Sequence, residues 1–133
     1  MLPEGYSRDH SQFSLARFEQ WAQEALQALP SNFRNKIDNV AIFVQDEPDL
    51  HLLRSMKLPR GSTLFGVYQG IPLNKRGHYY MNVMPDQIII FRRPILRFYR
   101  TEASIKKQIR DTLIHEIGHH FGMTESEIQN AMG

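Results

Sequence analysis

The chain has 133 residues, of which 41% are hydrophobic and 23% are charged, and its formal net charge is +2. This composition is typical of a soluble globular protein and excludes a disordered chain, and we expect one domain over residues 1–133. A charge this small does not predict a nucleic-acid-binding protein. The densest basic run, Arg92-Arg93 with Arg97 and Arg100, is interpreted as a solvated strand end.

Cysteine is absent, which excludes disulfide scaffolds, cysteine-ligated zinc and thiol nucleophiles. Histidine and carboxylate side chains are therefore the only strong metal ligands that the chain can offer. The N-terminal residues show no signal peptide, and no apolar stretch is long enough to span a bilayer. We expect a cytoplasmic protein of a bacterium, without membrane association.

The first predicted element is a helix over residues 15–29, where apolar side chains recur at three- and four-residue spacing. Ser14 is expected to be its N-cap, and Pro30 is expected to end it. Runs rich in β-branched residues predict strands over 40–44 and 87–91. Between them, residues 50–61 have no clear pattern and are interpreted as a mobile connection.

A further strand is predicted over residues 64–69, where Gly66 indicates a bulge or a close backbone approach. Residues 101–121 are predicted to form a long helix because apolar side chains recur at four-residue steps, at Ile105, Ile109, Leu113, Ile117 and Phe121. Helix, strands and helix in this order predict a compact α+β domain.

The long helix carries the sequence His115-Glu116-Ile117-Gly118-His119. A spacing of four places the two imidazoles one above the other, off the apolar face, where both can reach one tetrahedral zinc ion. Glu116 is offset by about 100° around the helix, so it can reach a metal-bound water instead of the metal. A carboxylate there can accept the proton of that water as it attacks a carbonyl, so Glu116 is the predicted catalytic base.

A third ligand is expected shortly after the motif. Gly122 can adopt a positive φ and end the helix, which brings Glu125 back towards the metal. Glu125 is the predicted third ligand, with Glu127 or a water as alternatives. The segment from Thr124 to Glu127 also has the pattern of a capping box, which favours an acid at this place without any metal.

The other histidines are assigned lesser roles. His120 shares a helix side with Leu113 and Ile117, so packing or hydrogen bonding is favoured over ligation. His10, His51 and His78 are placed on the surface, in loops or turns. The polar segment of His78, Tyr79 and Tyr80 offers donors for an oxyanion, and nothing in the sequence selects among them.

These residues resemble a known family, the bacterial minimal zincin-like metallopeptidases. The resemblance extends from about Phe13 to the end of the chain and is strongest at the motif, continued as His120-Phe121-Gly122, and at Tyr68-Gln69-Gly70-Ile71-Pro72-Leu73. It implies a minimal zincin-like fold, with a small twisted mixed sheet, a backing helix and an active-site helix beneath the sheet. It also implies zinc as the cofactor and a peptide or protein as the substrate.

The resemblance bears on the surroundings of the metal. Gly122 and Glu125 match the places where metzincins carry a glycine and the third ligand, with glutamate here in place of histidine. Metzincins also have a methionine-containing turn downstream, which these 133 residues do not contain, so we expect a different base beneath the zinc. By analogy, residues 64–69 are nominated as the edge strand along which a peptide substrate would pair.

The sequence therefore predicts a zinc metallopeptidase that acts as a monomer or weak dimer. Two alternatives stay open: a zincin-like module that binds partners without cleaving them, and a regulatory protease that cleaves repressors. A nucleic-acid binder that uses Arg92 to Arg100 is the least favoured interpretation.

Overall fold

The computed structural model describes residues 12–55, 64–70 and 84–133. In chain order these residues form helices and strands with the following bounds: α1 (Leu15–Gln27), α2 (Ser31–Arg34), β1 (Val40–Gln45), α3 (Leu50–Ser55), β2 (Gly66–Gln69), β3 (Asp86–Phe91), α4 (Arg92–Phe98), α5 (Glu102–His120) and α6 (Glu125–Met132). Within these ranges, no helix is long and apolar enough to cross a membrane.

The described strands form one mixed sheet in the order β1-β3-β2. β1 runs parallel to β3, with Ile42 opposite Ile88, and β2 runs antiparallel to β3, with Val67 opposite Ile89. The central strand, β3, is buried from Ile88 to its end, as its continuous apolar run predicts. The α+β class with a small mixed sheet is therefore confirmed, and β2 lies at an edge of the described sheet.

The main core lies on one face of this sheet, between the sheet, α1 and α5. The strands contribute Ile42, Val44, Ile88 and Ile90, and α1 contributes Phe18, Trp21 and Ala22. The other face carries a smaller cluster around Val67, Ile89 and Phe91. Because side chains alternate along a strand, Ile88 and Ile90 enter one cluster while Ile89 enters the other. Helix α1 is thus the backing helix that the sequence predicts.

The predicted N-cap of α1 is confirmed, whereas its predicted end is not. The side chain of Ser14 accepts a hydrogen bond of 3.2 Å from the Arg17 N–H, as an N-cap does. The helix ends at Gln27, two residues before the predicted end at Leu29.

The prediction of a solvated strand end at Arg92 is wrong. β3 passes directly into α4, and Arg92 is only 2% exposed. Its Nε donates to the Phe13 carbonyl at 2.8 Å, and its Nη1 lies 3.0 Å from Asp46 Oδ1. Burial is tolerated because the guanidinium has a carboxylate partner and a carbonyl partner. Arg97 pairs with Glu47, so this part of the basic run is neutralised within the chain.

The interpretation of residues 50–61 as a mobile connection is wrong for its first half. Residues Leu50–Ser55 form α3, whose start is stabilised by a hydrogen bond from the Leu52 N–H to Asp49 Oδ1 at 2.6 Å. Residues 56–61 lie outside the described part of the chain.

Helix α5 begins at a capping box formed by Thr101 and Ser104, and four apolar side chains at four-residue steps are fully buried: Ile105, Ile109, Leu113 and Ile117. The helix ends before Gly122, which has the predicted positive φ, at 68°. The chain then turns back so that Ile128 of α6 packs against Gly118. This contact places the start of α6 beside the end of α5.

We predict that Gly118→Ala destabilises the protein by about 1–3 kcal/mol, because the added Cβ would lie 2.6 Å from Ile128 Cγ1 in a fully buried position. Helix propensity alone would favour alanine there by about 1 kcal/mol. Urea denaturation measures the difference. Combined with Ile128→Ala, the substitution should cost less than the sum of the two single changes. A stabilised single variant, or strictly additive costs, would contradict this packing.

Candidate metal centre and active site

The two motif histidines lie side by side on α5, away from its buried face. Their ring centroids are 5.2 Å apart, with an angle of 31° between the ring planes. His115 is half-buried, and the side chain of His119 is 54% exposed. Rings whose nitrogens bind one tetrahedral zinc ion at about 2.0–2.1 Å have centroids roughly 5 Å apart. The spacing of this pair therefore fits a shared ion.

Glu125 approaches the same pair from the first residue of α6. Its Oε1 lies 3.3 Å from Nε2 of His119, and its side chain is 67% exposed. No group of three or more His, Asp or Glu residues in the described ranges is already arranged to hold an ion. Glu125 contacts His119 directly, so its role as a third ligand stays a prediction. The donor types, two imidazoles and a carboxylate, are those of catalytic zinc sites.

Glu127, the alternative ligand, is engaged elsewhere. Its Oε1 accepts hydrogen bonds of 3.0 Å from the N–H and from the hydroxyl of Thr124, and the Thr124 hydroxyl accepts from the Glu127 N–H. The predicted capping box of α6 is therefore present. The backbone N–H of Thr124, with its hydroxyl, lowers the pKa of Glu127. Of the two acids in the first turn of α6, Glu127 takes part in the capping box and Glu125 does not.

Glu116 points towards the sheet. Its Oε1 accepts a 3.1 Å hydrogen bond from the Tyr68 N–H of β2. The Phe91 N–H donates to the Phe65 carbonyl, so Phe65 is at a hydrogen-bonded position of the β2–β3 pair. Such positions alternate along an antiparallel pair, so Tyr68, three residues later, is at a position whose main-chain groups face away from β3. The carboxylate thus lies between the helix and the strand edge, beside the histidine pair.

The surroundings of Glu116 affect its acidity in opposite directions. Burial raises its pKa above the ordinary value. The hydrogen bond from Tyr68 and the charges of His119 and His115 lower it, but by less. A carboxyl group whose pKa is raised by burial holds a proton more readily than an exposed glutamate does, and a general base must hold a proton during the reaction.

Sequence reasoning missed a cluster around Tyr68. The Tyr68 ring stacks on His120, with centroids 3.9 Å apart and 22° between the planes, and its hydroxyl donates to Asp86 Oδ2 at 2.7 Å. His120 follows Glu116 by one helical turn, so both side chains contact the same strand residue. The expectation that His120 packs is confirmed. The four-residue spacing hinted at a shared partner but could not identify it.

The remaining predictions have different outcomes. His51 is exposed, as expected, although it lies in α3 rather than in a loop. His10, His78, Tyr79 and Tyr80 lie outside the described residues, as does the segment from Ile71 to Leu73.

The predicted close approach at Gly66 is confirmed. A Cβ built there would lie 2.7 Å from Thr112 Cγ2 and 2.9 Å from the Ile89 carbonyl oxygen. This contact brings β2 close to α5. A cavity of about 430 Å³ lies alongside and was not foreseen from the sequence. Its lining consists of Leu64, Phe65, Gly66, Gln108, Asp111, Thr112, His115, Glu116 and Met132.

We predict that Glu116→Gln leaves the metal-free protein as stable as the unchanged chain, or more stable, at neutral pH. Because the folded pKa of Glu116 is raised, the folded state favours the protonated form. The contribution of Glu116 to stability is therefore present below its unfolded pKa and lost as the pH rises through the folded pKa. Glutamine removes this loss, so the gain in melting temperature should vanish towards acid pH.

Glu127→Gln is the matched control, with the opposite sign. The folded pKa of Glu127 is lowered, so its contribution is present above the unfolded pKa and lost as the pH falls through the folded value. This variant should be less stable than the unchanged chain at neutral pH. Melting curves of the two variants that change with pH in the same sense would contradict the assignment.

Comparison with known proteins bears on the fold and the family of the chain. The structure is similar to that of a conserved hypothetical protein from Thermus thermophilus, with a TM-score of 0.50, 17% sequence identity, and coverage of 82% of this chain and 94% of the other. At this identity the likeness shows the fold alone. A comparison with curated proteins finds no match. The family described as zincin-like metallopeptidase matches residues 37–133, which include α5 and α6. With most of its length matched, the chain belongs to the zincin-like metallopeptidase family.

Proposed function

We propose that this protein is a zinc-dependent peptidase in which His115, His119 and Glu125 hold the metal and Glu116 is the catalytic base. The observation that carries the proposal is the position of Glu116. Its carboxylate lies beside the histidine pair, is held by the edge strand at Tyr68, and has a raised pKa. A structural glutamate on an exposed helix face would need none of these features.

In the proposed mechanism the groups of the site have different roles. Bound zinc supplies Lewis-acid chemistry, which lowers the pKa of water and polarises a carbonyl. The hydrogen bond from Tyr68 engages Oε1 of Glu116, so the other carboxylate oxygen can accept a proton from the attacking water. The raised pKa favours holding that proton until Glu116 returns it to the leaving amine.

The edge position of β2 supports a peptide as the substrate. An extended peptide can add to a sheet edge through main-chain hydrogen bonds, and β2 lies at the edge nearest the motif helix. To pair with a peptide there, the Tyr68 N–H would have to leave Glu116. His115 and Glu116 are part of the lining of the cavity beside β2, so a side chain of such a peptide would have a place next to the reacting carbonyl.

The second candidate is a zincin-like module that binds partners without cleaving them. The direct contact of His119 with Glu125 favours it, because this pair can stabilise the turn to α6 without a metal. Hydrolysis separates the two functions, since a module needs no proton acceptor at Glu116.

We predict that the zinc-loaded protein cleaves an unstructured protein such as casein, and that Glu116→Gln lowers the rate by about 10²- to 10⁴-fold because the general base is lost. Mass spectrometry of new peptide termini measures the cleavage. Glu19→Gln, which removes the same charge from an exposed position on α1, should retain full activity. Full zinc loading without cleavage would favour the module, and cleavage that survives Glu116→Gln would show that another residue is the base.

A further inference from the structure

The cavity beside β2 extends from the motif towards the N-terminal end of α5. Asp111 lies four residues before His115, which corresponds to one turn along the same helix face and to about 6 Å along the axis. Asp111, His115 and His119 therefore form one row on α5, with Asp111 at the end away from the start of α6. A side chain of a substrate residue next to the scissile bond would reach Asp111 from the motif.

Asp111 has a carboxylate oxygen without a hydrogen-bond partner. Its side chain is only 16% exposed, and its Oδ2 accepts a hydrogen bond of 2.7 Å from Lys107. Its Oδ1 is buried, accepts no hydrogen bond in the described structure and lies 4.0 Å from Arg110 Nη1. An unsatisfied buried carboxylate oxygen costs stability, so this oxygen has an unused capacity to bind a donor.

The rest of the cavity suits a long basic side chain. Leu64, Phe65 and Met132 provide apolar surface, and the lining contains no lysine or arginine among the described residues. Gln108 and Thr112 satisfy each other, since the Gln108 amide donates to the Thr112 hydroxyl at 2.9 Å. Lysine and arginine combine an apolar stem with a charged head, which is the pattern of this lining.

We propose that this cavity is a side-chain subsite that selects a lysine or arginine of a peptide, with Asp111 as the residue that determines specificity. The inference rests on the proposed peptidase function and names its substrate class: peptides with a basic residue beside the scissile bond. The stem of that residue lies along Leu64 and Met132, and its cationic head pairs with the carboxylate of Asp111, which lines the cavity.

Binding to the Glu116→Gln protein in the presence of zinc tests the subsite without depending on hydrolysis. The probes are three fluorescent, N-acetylated and C-amidated peptides with glycine, alanine and serine flanks, and with a single central arginine, norleucine or glutamate. Fluorescence anisotropy should show that the arginine peptide binds about ten- to hundredfold more tightly than the norleucine peptide. The glutamate peptide should bind most weakly.

Substitution of Asp111 tests whether this residue determines the preference for the arginine peptide. Asp111→Asn, made in the Glu116→Gln protein, should remove the preference of arginine over norleucine, and Asp111→Lys should shift the preference to the glutamate peptide. The matched control Glu19→Gln, which removes one negative charge from α1, should leave the preference unchanged. Asp111→Asn should also fold normally, because it removes a buried charge and only a surface pair with Lys107.

The outcomes that overturn the inference are specific. Equal affinities for the three peptides would exclude a basic subsite even if the Asp111 variants failed to fold. A preference for arginine that survives Asp111→Asn would show that another residue determines the specificity. An Asp111 variant that loses zinc affinity but keeps the preference would show that Asp111 supports His115 in zinc binding and does not contact the peptide. If the unchanged protein cleaves peptides without a preference for basic residues, the proposed subsite is wrong and the proposed peptidase function stands. If it cleaves no peptide but shows the Asp111-dependent binding preference, the proposed peptidase function is wrong and the subsite stands.

Discussion

The rotation of α5 about its axis is fixed by four fully buried side chains, Ile105, Ile109, Leu113 and Ile117, which pack into the main core. Each residue of a helix is turned by about 100° from the last, so this one constraint sets the direction of every other side chain on α5. Glu116 is turned towards β2, and His119 is turned towards the start of α6, with His115 beside it. The chemistry of the site is therefore a consequence of how the core is packed.

Two close contacts hold the neighbouring elements at the right distance from α5. Gly66 lets β2 approach Thr112, which brings the Tyr68 N–H within hydrogen-bonding distance of Glu116. Gly118 lets α6 approach, which brings Glu125 to His119. The small size of the fold makes both contacts important, because few other elements surround the site. Asp111 extends the same arrangement, because it lies one turn before His115 and lines the cavity beside β2.

The sequence predicted what is encoded locally. The apolar period of α5, the caps at Ser14 and Thr124, and the turn at Gly122 each depend on residues within one or two helical turns, and all are present. Two errors are local, namely the missed helix α3 and the end of α1, which lies two residues before its predicted place. The larger omissions concern residues far apart in the chain. Arg92 is buried by partners 46 and 79 positions away, and Tyr68 meets Glu116 across 48 positions. Such pairs follow from strand order and register, which local patterns do not determine.

The central claim is that α5 and α6 together form a zinc site, and the most direct measurement is a zinc titration of the purified protein against a competing chromophoric chelator. The account predicts one zinc per chain, and a loss of affinity of at least about a hundredfold in His119→Ala and in Glu125→Gln. Glu127→Gln, which alters only the cap, should bind zinc almost as tightly as the unchanged protein. Failure to bind one equivalent of zinc, or unchanged affinity in His119→Ala, would contradict the account.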